Sequence, residues 1–206
     1  AKATYLSPRW LGLRLGASFT PEANQRSADF DPGVSGPGLA GPQLEQVWEG
    51  VVSFARQFAE QDLRVRAAVT YASAESGSIQ PEFGSYEAVG AGRELEHDGW
   101  TGGVRWLSSN NAWAAGNGDY EAWEVGIVKQ VDGWRFGAEA GKSEDRLNGL
   151  EGSSWLVGVR REISHNLDLG IAWSSAEADI PIPAGLALGH RNASNGGLLV
   201  ELSVRN

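Results

Sequence analysis

The 206-residue chain contains no cysteine and no methionine. Without cysteine there is no disulfide framework, no thiolate metal site and no cysteine nucleophile, whatever the compartment. Positive charge is scarce: 17 Lys and Arg stand against 26 Asp and Glu, a formal net charge of -9. General nucleic-acid binding needs a basic face that displaces counterions, and this balance argues against it. No stretch approaches ~18 uninterrupted apolar residues, so no membrane-spanning helix is expected. Mean hydropathy is -0.30, which looks soluble, but that index does not register transmembrane β-barrels, whose strands alternate apolar and polar residues. No signal peptide opens the sequence, which then reads as cytosolic, already processed, or a fragment. The length suits one domain, since all-β barrels often run that long as single units, and residues 1–206 are taken as one.

What is abundant is glycine, 28 residues, and tryptophan, 9. Gly, Pro, Asn and Asp punctuate the chain densely, and the segments between them have period 2. In 63–71, Leu63, Val65, Ala67, Val69 and Tyr71 alternate with Arg64, Arg66, Ala68 and Thr70. The same pattern runs through 11–19, 134–141, 167–174 and 198–205, and more weakly through 100–106, 123–127 and 155–159. With shorter runs at 3–6, 47–58 and 86–93, about eleven strands are expected in an all-β chain. One segment is ambiguous: Leu44, Val47, Trp48, Val51, Phe54, Ala55 and Phe58 also fit a helical stripe. Its β-branched content and its neighbours favour a strand.

Connections alternate strictly in length. Short ones fall at 7–9, 59–61, 96–98, 131–133 and 164–166, and long ones at 21–46, 73–84, 108–117, 143–152 and 176–195. A soluble two-sheet sandwich, the rival fold, has no reason to gather its long loops at one end; an outer-membrane barrel does, with tight periplasmic turns and long extracellular loops.

The apolar strand faces are continuous, while the opposite faces carry Gly, Ser, Thr, Ala and charge. In a barrel the second face lines a water-filled lumen, where small residues leave room for arginines. On this reading the pore wall carries Arg14, Arg64, Arg66, Arg105, Arg135 and Arg160, facing Glu49 and Glu139, with Arg205, Glu124, Asp168 and Glu201 on the same face. The acidic excess sits largely in loops: Glu22, Asp29, Asp31, Glu75, Glu82, Asp119, Glu144, Asp145, Glu151, Glu177 and Asp179. The wall arginines either set a transverse or anion-favouring field or pair with lumen acids and stiffen the barrel. Trp10, Trp48, Trp100, Trp123, Trp134, Trp155 and Trp173 lie near strand ends, where an interfacial aromatic girdle needs them; as core anchors of a sandwich they would sit mid-strand.

The opening segment, from Lys2-Ala3-Thr4-Tyr5-Leu6-Ser7-Pro8-Arg9-Trp10 through Leu11-Gly12-Leu13-Arg14-Leu15-Gly16-Ala17-Ser18-Phe19-Thr20-Pro21-Glu22, resembles Gram-negative general porins, alphaproteobacterial members above all. The later Trp-x-Val-Gly cadence, as in Trp123-Glu124-Val125-Gly126 and Trp155-Leu156-Val157-Gly158, is similar too. The resemblance implies a transmembrane β-barrel of sixteen strands, assembled as a homotrimer in the outer membrane among lipid and lipopolysaccharide, that passes small hydrophilic solutes and ions. In such porins the Ser-Pro strand follows the constriction loop, so the chain resembles the later part of one, without N-terminal strands or that loop. It also ends Val204-Arg205-Asn206 where the family ends in an aromatic residue.

Other motifs carry no chemistry. Gly36-Pro37-Gly38-Leu39-Ala40-Gly41 matches G-x-G-x-x-G literally but lacks a preceding strand and contains Pro37. His97, His165 and His190 fall in turns or loops without ligand spacing, and Glu144–Asp145 reads as solvated charge rather than a calcium site. No catalytic residue, metal or cofactor is expected. Two rivals to a diffusion channel are a plugged structural or adhesive barrel, whose acidic loops bind a surface partner, and a small-barrel hydrolase using His190.

Overall fold

The computed structural model describes residues 2–23, 44–76, 83–116, 118–147, 149–181 and 190–204. They form one eleven-stranded antiparallel sheet in which every strand pairs with its sequence neighbour. The strands are β1 (Ala3–Leu6), β2 (Leu13–Ala23), β3 (Leu44–Phe58), β4 (Leu63–Ser76), β5 (Tyr86–His97), β6 (Trp100–Ser109), β7 (Tyr120–Val131), β8 (Trp134–Asp145), β9 (Leu150–Ser164), β10 (Leu167–Pro181) and β11 (His190–Val204). The ambiguous segment is strand β3. It has an irregular register between Glu45 and Trp48, where Gln46 has φ 51; this is a β-bulge that breaks strict alternation at its start.

The two ends of the sheet differ. At one end β5–β6 turns on Asp98-Gly99 and β7–β8 on Asp132-Gly133, all four residues with positive φ (48°, 69°, 47° and 76°). Two consecutive positive-φ residues make the type I′ hairpin, whose twist matches that of the flanking strands. Leu11-Gly12, at φ 49° and 94°, likewise turns between the bridged residues Trp10 and Leu13. A single 3₁₀ turn, Ala59–Gln61, links β3 to β4, and 165–166 links β9 to β10.

At the other end the connections are shorter than expected. β8 ends at Asp145 and β9 starts at Leu150, both inside the loop read at 143–152, and β10 ends at Pro181 and β11 starts at His190, both inside the one read at 176–195. Glu22, Glu75, Glu144, Asp145, Glu151, Glu177 and Asp179 therefore stand on strands. Backbone pairing continues beyond the apolar band into water, where neither face needs apolar residues, so the end of the hydrophobic pattern does not mark the end of the strand. Asp29, Asp31, Glu82, Arg205 and the Gly36–Gly41 motif lie outside the described residues.

A core in the usual sense is missing. Among the described residues the buried hydrophobics are three alanines, Ala74, Ala88 and Ala112. Large apolar side chains such as Leu15, Val69, Val125, Ile127, Val157, Ile171 and Val200 are exposed, all on one face of the sheet. Contiguous apolar surface on this scale marks an interaction with protein or membrane.

Candidate functional site: a two-faced membrane wall

Cross-strand partners share a face, so the register sorts the charges. Arg64 lies opposite Glu96, and Arg66 opposite Glu94. The same face continues through Arg105 opposite Glu124, Glu139 opposite Gly126 and Leu156, and Arg135 opposite Arg160. It carries Glu49 and Arg14 on β3 and β2, and Asp168 and Glu201 on β10 and β11. All eight residues read as pore wall thus share one face, together with Glu124, Asp168 and Glu201.

The sign of charge alternates from strand to strand: Arg14 on β2, Glu49 on β3, Arg64 and Arg66 on β4, Glu94 and Glu96 on β5, Arg105 on β6, Glu124 on β7. Neighbouring columns pair. Arg66 reaches Glu94 at 3.0 Å and Arg64 reaches Glu96 at 3.3 Å. Arg105 bonds Glu124, and Glu49 accepts from Lys2 and Ser18. Arg160 binds Asp168 at 2.8 Å, and Asp168 is among the few buried polar residues, at 3% exposure. Arg14 Nε donates to the Ser7 carbonyl at 3.1 Å. Between the charges stand small residues, among them Ser53, Ala68, Gly90, Gly92, Gly103, Gly126, Gly137 and Gly158.

Glu94 and Glu96 lie beyond the run expected at 86–93, because β5 continues to His97. The signal is present in the sequence: Glu94, Leu95, Glu96 and His97 continue the alternation to the turn. His97 ends β5, His165 sits in the β9–β10 turn and His190 opens β11, so the three fall on separate elements. At the exposed loop end, the Glu144 carboxylate beside Arg146 raises that guanidinium's pKa above its ordinary value and keeps it charged.

The opposite face carries the aromatics in two lines. Trp100 and Trp134 open β6 and β8 beside the tight turns, and Trp10, 71% exposed, lies in the first turn. The second line runs through Trp173, Trp155, Trp123, Trp106, Tyr71, Trp48 and Phe19, set further along the strands because pairing continues past them. Trp106, which ends an alternating run in the sequence and was not expected in the girdle, lies directly opposite Trp123. The ninth tryptophan, Trp113, packs edge-on against Phe83 in the loops at that end.

This second line is oblique to the strands. Trp173 faces Val157, while Trp155 is the next outward residue. The line steps one pair further again between Trp155 and Trp123, between Trp106 and Tyr71, and between Tyr71 and Trp48. The drift is about eight residues over eight strand-to-strand steps; at ~3.3 Å per residue and ~4.8 Å per strand it corresponds to a tilt of roughly 35°. An interfacial line lies in the membrane plane, so this is the strand tilt against the membrane normal, within the range of transmembrane barrels.

Eleven tilted antiparallel strands with an apolar, aromatic-belted face and a charged, glycine-rich one define a wall of the transmembrane β-barrel class. A family model described as Gram-negative porin matches residues 1–179, and the chain belongs to that family; its location is the outer membrane. A solved structure of porin, refined at 1.8 Å resolution, matches with a TM-score of 0.56 and 11% identity. The match covers 96% of this chain and 60% of that one, so the chain spans about 60% of that porin's length, and the likeness is one of fold. No curated protein matches.

Proposed function

We propose that the charged face lines a water-filled channel for passive diffusion of small hydrophilic solutes and ions, and that the wall belongs to a sixteen-stranded barrel in a homotrimer bordered by lipid and lipopolysaccharide. The observation that carries this reading is the alternation of cationic and anionic columns on the same face as the glycines. Charge costs least where water reaches it, and small residues keep that space open. Such a channel needs no bond-making chemistry: width, wall charge and local field decide what passes. The wall residues are Arg14, Arg64, Arg66, Arg105, Arg135 and Arg160, with Glu49 and Glu139, and Glu94, Glu96 and Glu124 joining them.

The test is ion selectivity in planar bilayers. Replacing Arg64 and Arg66 together by Gln uncovers Glu94 and Glu96, and the cation-to-anion permeability ratio is expected to rise roughly twofold or more. An unchanged ratio, with conductance steps intact, removes these residues from the pore. A second reading, a plugged adhesive barrel, draws on the row of directly opposed carboxylates Glu121, Glu144, Glu151 and Asp179 at the loop end. Single-channel recording separates the two, because a plugged barrel gives no steps.

A further inference from the structure

Two groups of cations stand out on the sheet, beside Arg93, which lies on the apolar face in the middle of β5 opposite Ala67 and Val104. Those on the charged face or at the loop end largely have carboxylate partners: Lys2, Arg64, Arg66, Arg105, Lys142, Arg146 and Arg160. Three cations on the apolar face at the tight-turn end instead rest on aromatic rings. Lys129 Nζ lies 5.0 Å from the Trp100 ring, Arg161 Cζ 4.5 Å from Trp134, and Arg56 Cζ 5.1 Å from Phe58. None of the three has a carboxylate within 4.0 Å among the described residues, although Asp62, Asp98 and Asp132 stand in the adjoining turns. Lys129 is held in place by donating to the Asp98 carbonyl at 2.6 Å. At the other aromatic line the polar partners are acids: Trp106 Nε1 donates to Glu121 at 2.8 Å and Tyr71 to Glu87 at 3.3 Å. The aromatic side chains of the two belts thus meet groups of opposite charge, cations at the tight-turn end and carboxylates at the other.

A second observation meets the first. A shallow groove of about 520 Å³ runs over the apolar face from Trp100 and Lys129 past Phe136 and Val159 to Trp173 and Leu198. Its floor is low because Ala138, which points to this face, carries only a methyl group, and the backbone at Gly137 and Gly158 runs beside it. One end is cationic and aromatic at headgroup depth; the rest is apolar at the depth of acyl chains. Tight turns face the periplasm in outer-membrane barrels, so the cationic end meets the inner leaflet.

We infer that this groove is a binding site for an anionic phospholipid of the periplasmic leaflet, its phosphate held at the end where Lys129 rests on Trp100, with Arg161 on Trp134 as a second cation beside that end, and an acyl chain laid toward Trp173. Arg56 beside Phe58 extends the same belt on β3. A cation at a membrane surface favours an anionic lipid about fivefold, and aromatic faces fix the heads of the cations without neutralising them.

The test is native mass spectrometry of the full chain folded in detergent and titrated with phosphatidylglycerol or phosphatidylcholine of matched acyl chains. The wild type is expected to retain phosphatidylglycerol about twentyfold better or more. Lys129→Gln loses about fivefold of that preference and Lys129→Gln/Arg161→Gln about twentyfold, whereas Lys129→Arg keeps it. Lys142→Gln, which removes an equal charge from the same face at the loop end, leaves it intact. Ala138→Phe fills the groove and weakens both lipids. Equal retention of the two lipids by wild type, loss of preference in Lys142→Gln, or displacement by millimolar inorganic phosphate without regard to acyl chains overturns the proposal. None of these readouts depends on conductance, so failure of the channel reading and failure of this one are distinguishable.

Discussion

Neighbouring residues on β9 give the sharpest test of the two-faced wall. Val157 points to the apolar face, 46% exposed, between Trp155 and Val159 and opposite Ala138 and Trp173. It lies one pair inside the upper aromatic line and two pairs from Arg161 at the lower belt, close to mid-membrane. Leu156 is on the charged face, opposite Glu139 and Ser174. An arginine on the lipid face near the midplane costs about 2–4 kcal/mol, whereas a lumen substitution changes charge without leaving water. Val157→Arg is therefore expected to destabilise by about 3 kcal/mol, relieved in part if the long stem lifts its head toward the belt. Leu156→Arg acquires Glu139 as a carboxylate neighbour, and its effect should stay within about 1 kcal/mol. Equilibrium unfolding from phospholipid vesicles, followed by tryptophan fluorescence in urea, measures both. The expected gap of about 2 kcal/mol is roughly a thirtyfold ratio of unfolding constants. Equal losses, or a greater loss for Leu156→Arg, would refute the assignment of faces, because a one-residue register slip exchanges them.

Two further outcomes follow from the same geometry. Gly99→Ala should cost more than Gly133→Ala: both have positive φ, but a Cβ at Gly99 would lie 2.6 Å from the Gln130 carbonyl while one at Gly133 meets nothing within 4 Å. Roughly 1 kcal/mol is expected at Gly133 and about 2–3 kcal/mol at Gly99, read as a shift in urea midpoint, and equal shifts would contradict the turn assignment. Asp168→Asn should destabilise by about 1–3 kcal/mol, since it leaves the half-buried Arg160 without the carboxylate at 2.8 Å; a neutral result in the same unfolding assay would mean that water already serves this pair.

Much of the wall could be read from period 2 alone, and the residues show why. On β4 the alternation from Leu63 to Tyr71 coincides with the membrane band, where lipid demands apolar residues on one face and permits charge on the other. Asp132-Gly133 marks its hairpin because few residue pairs adopt two positive φ values cheaply. Where no solvent gradient acts, the pattern goes silent. β8 and β9 extend through Ser143, Glu144 and Asp145 opposite Gly152, Glu151 and Leu150, water-facing stretches whose composition resembles a loop. β3 was ambiguous because the bulge at Gln46 shifts the phase of its first residues. For Glu94 and Glu96 the alternation gives the face, but their pairing with Arg66 and Arg64 of the neighbouring strand is supplied only by the register.

That the described residues bury little apolar side-chain surface against one another explains why the two faces are largely separated. In a soluble sheet a misplaced charge can move to the surface, and a buried methyl group is compensated by its neighbours. Here the apolar side chains pack against lipid and the ladder of backbone hydrogen bonds carries the sheet. Nothing inside the protein can satisfy a polar group that strays onto the wrong face. Depth rather than packing then governs the apolar face: Lys129, Arg161 and Arg56 stand where headgroups begin, and the exception, Arg93 opposite Ala67 and Val104, has a long stem that lifts its head toward a belt. On the proposed channel reading the charged face obeys the converse rule: its arginines face water, and adjacent acids pair with them along the wall. Exchanging Lys129 with a midband residue such as Ile127 would place the ammonium two residues deeper. Unfolding of that double variant from vesicles should show a penalty of about 2–4 kcal/mol, although charge and composition are unchanged. If position did not matter, the belt would be decoration on an ordinary sheet, and the depth rule would fail.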